Sequence, residues 1–413
     1  MPFPPRWPTH GLWRHPDFLR LWGAQIGSAF GSRLTRTALP IIAILSLHAP
    51  PDAVALLAAL GVAPGVVVAL LVGGHVDRAA KRPLLVAADL ARAALVLGVP
   101  LAAWLGALSM PQLHLTVAAV GAATTLFQIA DGSFLPRLVG PDAVVVGNAK
   151  LEATDAIAEA AGPGIAGILI QILSAPAVLV LDALSYLWSA ALLARLRVRE
   201  VPNAAGRTRA RMVDDVRTGF RVTLAHPVVG PTLVADAVAY LFGGFFLALY
   251  MLFALDTLAL SPATVGVVIS VGGIGAFAGA ALAGPLGRRV GTGGALVLAL
   301  LVGQAAKLCV PLAAGAGRLT IPLLLVQQLV GDACLGAYAI HAVSVRQRVL
   351  PADVLGRATA TFHVVTGAAL PAGALIAGPL ATALGTTTAL WIGTIGGALA
   401  VPVLLRASVL RLP

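Results

Sequence analysis

The chain has 413 residues, of which 59% are hydrophobic and 11% charged, and its mean hydropathy is +0.93. This composition excludes an ordinary soluble domain, because such domains carry about a quarter charged residues. The net charge of +11 does not indicate a nucleic-acid-binding protein, since the basic residues fall in alternate loops between apolar segments. At ~20 residues per membrane helix, the length accommodates about twelve spans.

The predicted spans form two sets of six. The first set covers 18–47, 53–73, 84–107, 113–135, 148–173 and 177–195, and the second covers 228–253, 263–285, 293–315, 319–343, 358–383 and 387–405. We therefore predict an N-terminal bundle (1–195), a basic linker (196–227) and a C-terminal bundle (228–413). Within the linker, Met212 to Leu224 is predicted to form a surface helix that lies near anionic lipid headgroups.

The loops differ in charge according to the side of the membrane that they face. Basic residues occur in the loops that contain Arg78, Arg137, Arg207, Arg288 and Arg348, and near Arg406. The opposite loops carry no Lys or Arg except Arg318. This pattern predicts a multi-pass protein of the plasma (inner) membrane with both termini in the cytoplasm.

The first span carries a polar stripe. Gln25, Ser28, Ser32 and Arg36 recur at three- and four-residue steps, with Arg33 at the edge of the stripe. An ionised arginine near the bilayer middle costs several kcal/mol unless it faces water or a partner. The stripe therefore predicts part of a proton or substrate cavity. The alternative is that the arginines form static ion pairs that hold helices together.

The fifth span carries three carboxylates on one face, because Glu152, Asp155 and Glu159 are three and four residues apart. Clustered carboxylates in a low dielectric repel one another, so at least one should retain its proton near neutral pH. We expect Glu159, the deepest of the three, to be the proton carrier, with Asp155 as the second candidate. A static salt bridge to Arg33 or Arg36 is the alternative.

Directly after these acids, Gly162, Pro163 and Gly167 predict a kink and a close helix contact. Single charged residues occur in other predicted spans: Asp89 and Arg92, Asp131, Asp182, Asp236, Lys307 and Asp332. Charged residues inside a membrane are functional candidates by default, and we place Asp236 and Asp332 in the cavity. Pairing across the bundle, for example of Lys307 with Asp332, is the structural alternative.

The loop between the second and third spans contains Gly73, Asp77, Arg78, Lys81 and Arg82. Its pattern, Gly-x-x-x-Asp-Arg-x-x-Lys-Arg, resembles the signature loop of the major facilitator superfamily, although Ala80 replaces a usual glycine. A second copy starts 211 residues later at Gly284, and the pair Arg137 and Arg348 shows the same offset. Two landmarks at one offset indicate two similar halves. We expect the loop to act as a conformational latch.

The first span from Gly31 to Pro40, together with Asp89 and Arg92, is similar to the drug:proton antiporter subgroup typified by macrolide-efflux proteins. The Gly162–Gly167 stretch partly matches the fifth-helix antiporter motif. The resemblance implies two six-helix bundles around a cavity, alternating access, and export of lipophilic or amphiphilic small molecules in exchange for protons. Ser32 departs from the subgroup, in which Asp is frequent.

Two alternatives stay open: a lipid or metabolite carrier without proton coupling, which Ser32 favours, and a non-transporting membrane sensor. No phosphate-binding loop, dinucleotide fingerprint or nucleophile elbow occurs in the sequence, so we expect no enzyme activity and no cofactor. Cys309 and Cys334 fall inside predicted spans without metal-binding spacing. The expected partners are a small-molecule substrate, protons and the lipid bilayer, and the expected oligomeric state is a monomer.

Overall fold

The computed structural model describes residues 11–76, 79–197, 209–405 and 409, and within these ranges it contains helices and no strands. The first half has six long helices: α1 (Pro16–Ile41), α2 (Pro51–Val76), α3 (Lys81–Trp104), α4 (Met110–Val139), α5 (Val144–Leu173) and α6 (Ala175–Ala194). A π-helical turn, Ile42–Ser46, extends α1. The predicted spans 18–47 to 177–195 agree with these six helices to within a few residues.

The second half is divided into more segments. It comprises α7 (Arg209–Ala225), α8 (Val229–Leu252), α9 (Pro262–Lys307), α10 (Cys309–Leu312), α11 (Thr320–Val326), α12 (Asp332–Val349), α13 (Ala352–Leu384), α14 (Thr386–Ala398) and α15 (Ala400–Leu405). A π-helical turn, Phe253–Thr257, extends α8, and another, Gln327–Gly331, joins α11 to α12. Such turns widen a helix locally and are frequent at functional sites.

Ten segments of the described chain are long and apolar enough to cross a membrane. One of them, Pro262–Leu312, has 51 residues, which is enough for two spans. The backbone turns within it at Gly291, where φ is +75°, so α9 consists of a first arm before Gly291 and a second arm after it. Helix α1, which has 26 residues, is not among the ten; together with α1 and the two arms of α9, the described helices provide the twelve predicted spans.

The tight turns of the two signature-loop copies differ. Ala80 lies 211 residues before Gly291, and its φ of −64° is one that any residue adopts. Gly291 adopts the left-handed region that favours glycine. The replacement of glycine by Ala80 is therefore accommodated by a different turn conformation.

The apolar core shows where the two halves meet. We call the end of the bundle that carries the arginine-rich loops the basic end, and the other end the opposite end. One cluster of buried residues contains members of both halves, among them Leu39, Val54, Phe253 and Val265, and it lies at the opposite end. Towards the basic end, each described core cluster is confined to one half. The halves therefore diverge towards the basic end.

Close contacts between α5 and α9 join the halves at the opposite end. A Cβ atom at Gly167 would lie 2.4 Å from the backbone oxygen of Pro262, and one at Gly266 would lie 2.3 Å from that of Pro163. On the other side of the molecule, a Cβ atom at Gly378 of α13 would lie 2.6 Å from Ala55 Cβ of α2. These positions allow the halves to approach at backbone distance, as small residues do in membrane bundles.

Helix α7 confirms the surface helix that was predicted in the linker. It packs against the second half, because a Cβ atom at Gly219 would lie 2.7 Å from Thr361 Oγ1 and 2.8 Å from the backbone oxygen of Arg357. The C-terminal part of the linker is therefore docked on α13 rather than fully solvated.

Candidate functional site

An ion-pair network joins α1 to α5. Arg33 Nε lies 2.7 Å from Glu159 Oε2, and Arg33 Nη2 lies 3.8 Å from Asp155 Oδ1. Arg36 adds a second guanidinium, with Nη1 and Nη2 each 3.4 Å from a carboxylate oxygen of Glu159. Two arginines thus face two carboxylates in a segment that spans the membrane. We call these four residues the charge cluster.

The charge cluster faces the space between the halves rather than lipid. Asp155 and Glu159 lie one turn apart on α5, with side chains 60% and 52% exposed. The exposed apolar residues of the same helix, such as Ile157 and Ile168, lie on roughly the opposite face. An apolar exposed face suits acyl chains, so the charged face lines the gap that widens towards the basic end.

Glu159 is therefore not in the low-dielectric surroundings that were expected for the carboxylates of the fifth span. Its side chain is half exposed and held by two arginines, and only Arg33 is largely enclosed, at 17% exposure. The divergence of the two halves, which the sequence of one helix does not reveal, leaves this level of α5 open. The ion pair that was set out above as the alternative is present in this state.

The Gly162–Gly167 stretch serves two contacts. A Cβ atom at Gly162 would lie 2.5 Å from Arg33 Cβ, so the absence of a side chain there admits the stem of the arginine. Pro163 and Gly167 face Gly266 of α9, and the backbone N–H of Gly164 donates to Ser270 Oγ at 2.8 Å. Helix α5 continues without interruption through Pro163. The stretch therefore links the charge cluster to the contact between the halves.

Ser32 is directed towards α6 instead of the charge cluster. Its hydroxyl donates to the Ser28 backbone oxygen at 2.6 Å and lies 3.0 Å from Tyr186 Oη. One turn away, Thr35 and Ser185 both donate to the fully buried Asp182 carboxyl. The polar stripe of α1 is therefore divided: Arg36 faces α5, whereas Ser32 joins a hydroxyl-rich cluster with α6. Thr35 and Tyr186 were not anticipated as parts of this site.

Asp89 and Arg92 pair with each other inside the first half. The Arg92 guanidinium donates to the Asp89 carboxyl, and both side chains are buried. The guanidinium carbon also lies 4.4 Å from the ring centroids of Phe127 and Tyr186. Asp89 and Arg92 therefore form an ion pair within the first half, apart from the charge cluster.

Equivalent polar pairs join the first to the fourth helix of each half. In the first half, Gln25 of α1 lies near the Asp131 carboxyl of α4, whose Oδ1 has no hydrogen-bond partner among the described residues. In the second half, Tyr338 Oη of α12 donates to Asp236 Oδ1 of α8 at 2.5 Å, and both residues are buried. Gln25 and Asp236 are 211 residues apart, the offset of the signature-loop copies. Asp236 is thus enclosed within its own half, not at the charge cluster.

Lys307 and Asp332 form a looser polar region within the second half. None of the ion pairs in the described ranges joins them; the Lys307 ammonium lies 5.4 Å from the Phe246 ring centroid. The Asp332 carboxylate and the Gln328 side chain both lie beside Gly272, where an added Cβ atom would meet them. The second half also contains three buried oxygens for which the described residues supply no hydrogen-bond partner: Tyr250 Oη, Gln304 Oε1 and Gln327 Oε1. Buried polar groups usually find partners, so water or a polar substrate group would satisfy them.

The signature loop is described only in part. Gly73 lies in the last turn of α2, whereas Asp77 and Arg78 lie outside the described residues. Lys81 is fully buried at the start of α3, and the Arg82 guanidinium donates to the Ala194 backbone oxygen at the end of α6. The basic part of the loop thus anchors α3 to α6.

Within the described ranges, no group of three His, Cys, Asp or Glu side chains is placed to hold a metal ion. Cys309 and Cys334 are free thiols.

Comparison with known proteins agrees with the helical membrane fold. Residues 9–412 match the family described as transmembrane secretion effector. The uncharacterized MFS-type transporter y4rN of Sinorhizobium fredii is 28% identical over 330 residues, which cover 78% of each chain.

Two solved structures show the same fold. The nucleoside transporter NupG has a TM-score of 0.73 at 12% identity, covering 94% of this chain and 99% of its own. A bacterial homologue of the iron transporter ferroportin in its inward-facing state has a TM-score of 0.74 at 16% identity, covering 96% and 99%. Because the described residues form long apolar helices and the family match covers residues 9–412, the chain belongs to the transmembrane secretion effector family of major facilitator superfamily transporters.

Proposed function

We propose that this transporter exports lipophilic or amphiphilic small molecules from the cell in exchange for protons, by alternating access. The observation that carries the proposal is the charge cluster. Two arginines of α1 meet two carboxylates of α5 at the level where the halves begin to diverge. A titratable group in such a position can be exposed to one side of the membrane at a time, as coupled transport requires.

We infer a direction of coupling from the arrangement of the two halves. With the halves apart at the basic end, Arg33 and Arg36 both lie within ion-pair distance of Glu159. If the basic end faces the cytoplasm, we infer that this state is reached after the proton has been released inside the cell. An exporter accepts its substrate in that same state. Closing the basic end would alter the spacing of α1 and α5, weaken these ion pairs, and let Glu159 take up a proton from the outside.

The runner-up is a lipid or metabolite carrier without proton coupling. Its support is Ser32, which stands where related antiporters often have an acid and which hydrogen-bonds to Tyr186 rather than entering the charge cluster. In this account, the charge cluster would be a static lock between α1 and α5. A membrane sensor that transports nothing is the third candidate, and detection of any substrate flux would exclude it.

The experiment that separates these functions is efflux of a panel of lipophilic dyes and drugs from cells that express the protein. Proton-coupled export predicts efflux that stops when the proton gradient is collapsed with an ionophore. Efflux that persists after collapse would favour the uncoupled carrier.

The orientation and the latch are part of the proposal. We propose that the protein lies in the plasma membrane with its basic end on the cytoplasmic side. A cysteine introduced by Arg207→Cys should therefore not react with an impermeant thiol reagent added outside intact cells. We also propose that Asp77 accepts hydrogen bonds across the cytoplasmic face only when that face is closed. Asp77→Asn should therefore slow turnover and leave ligand affinity nearly unchanged.

A further inference from the structure

A groove on the outer face of the second half is separate from the charge cluster. It has a volume of about 300 Å³ and lies between the two arms of α9 and helix α12. Its walls include Leu282 and Val302, which are exposed on the face that a bilayer would cover. Small residues, among them Gly279 and Ala333, form its closed end, where α9 and α12 approach at backbone distance.

The groove has the length of one bilayer leaflet. It runs along the first arm of α9 from Arg289 to Gly279, a distance of ~15 Å at 1.5 Å per residue. The hydrocarbon part of one leaflet is also ~15 Å deep, because the whole core measures ~30 Å. Arg289 lies next to the turn at Gly291, at the basic end, whereas Gly279 lies towards the middle of the membrane.

The charge of the groove is concentrated at one end. Arg289 is exposed and is the one charged residue among those that line the groove; the others are apolar, apart from the Cys334 thiol. A guanidinium binds the phosphate group of a lipid through paired, charge-assisted hydrogen bonds. Basic pockets between transmembrane helices on the cytoplasmic side are typical binding sites of anionic lipid headgroups.

We propose that this groove is a binding site for an anionic phospholipid. Arg289 holds the phosphate, and one acyl chain fills the apolar groove between Leu282, Val302 and Cys334. Because the walls of the groove belong to α9 and α12, the bound lipid would brace these two helices against each other at the basic end.

The test uses photoactivatable lipids that carry a diazirine at the end of an acyl chain. The purified protein is reconstituted in phosphatidylcholine vesicles that contain a small fraction of diazirine-bearing phosphatidylglycerol or diazirine-bearing phosphatidylcholine, and adducts are mapped by peptide mass spectrometry. We expect about five-fold more adducts on the groove peptides with phosphatidylglycerol, the preference that one basic contact provides. Adducts around Ile168, on the lipid face of α5, should show no headgroup preference.

Two variants make the result specific. Arg289→Gln should abolish the preference at the groove, whereas Arg288→Gln, a neighbouring exposed arginine that does not line the groove, should keep it. Val302→Phe narrows the groove without touching the charge and should lower the groove adducts. Equal labelling of the groove by the two lipids would overturn the proposal. A preference for phosphatidylglycerol that survives Arg289→Gln would do the same, and so would an unchanged number of groove adducts in Val302→Phe.

Discussion

The Arg33 side chain crosses α5 directly over Gly162: a Cβ atom at position 162 would lie 2.5 Å from Arg33 Cβ and 2.7 Å from Arg33 Cγ. Beyond this crossing, the guanidinium reaches Glu159 at 2.7 Å. The glycine and the ion pair therefore depend on each other, since any side chain at position 162 would displace the arginine that holds the carboxylate.

Gly162→Ala should weaken both the fold and transport. The new methyl group would force α1 and α5 apart or move Arg33, and overpacking of this kind costs about 1–3 kcal/mol. Thermal unfolding in detergent and dye efflux from cells measure the two effects. Gly98→Ala on α3 is the matched control, because the added Cβ would meet no side chain beyond the adjoining residues, and no other helix, within 4 Å. Equal stability and efflux in the two variants would contradict this role of Gly162.

Gly266→Ala should shift the protein away from the state that is closed at the opposite end. Its Cβ atom would lie 2.3 Å from the Pro163 backbone oxygen, and a backbone atom cannot move aside as a flexible side chain can. His48 and Thr257 are exposed residues at that end, one in each half. Spin labels at these two positions would report the change as a longer distance between the labels in pulsed electron paramagnetic resonance. Cys309 and Cys334 would first be replaced by serine. An unchanged distance distribution would show that this contact does not keep the end closed.

Tyr338→Phe should destabilise the second half. It removes the hydroxyl that donates to the buried Asp236 carboxyl at 2.5 Å, and a buried acceptor left without its partner costs about 1–3 kcal/mol. Tyr240→Phe, on α8 near Asp236, is the control, because Tyr240 is 40% exposed and its variant should change stability by less than about 0.5 kcal/mol. Chemical unfolding of the two variants tests this, and the prediction fails if they lose the same stability.

The helices and the two halves could be predicted from the sequence because each depends on local pattern. A long apolar segment predicts a membrane span whatever its neighbours in the fold are. The 211-residue offset between Gly73 and Gly284 indicated the repeat. The same reasoning paired Glu159 with the arginines of α1, since spacing places the charges on single helix faces. A close helix contact was also expected at Gly167, although its partner, Gly266 of α9, was not.

What could not be predicted depends on the arrangement of helices that are distant in the chain. The exposure of Glu159 follows from the divergence of the two halves, and Ser32 faces Tyr186 because α6 packs beside α1. Thr35 gave no signal by itself, because a threonine in a membrane helix usually bonds to its own backbone. The groove at Arg289 is likewise formed by three helical segments that meet only in the fold.

The central claim is that Glu159 carries the coupled proton, and proteoliposomes with an imposed pH step test it most directly. Glu159→Gln mimics the permanently protonated side chain, so it should still bind substrate and exchange it down a gradient. Glu152→Gln is the matched control, since Glu152 is an exposed acid on the same face of α5 for which the described residues show no ion pair.

We predict that a pH step drives uphill transport by the parent protein and by Glu152→Gln, whereas Glu159→Gln only equilibrates the substrate. Uphill transport by Glu159→Gln at the parental rate would contradict the account and would leave Glu159 as a static partner of Arg33.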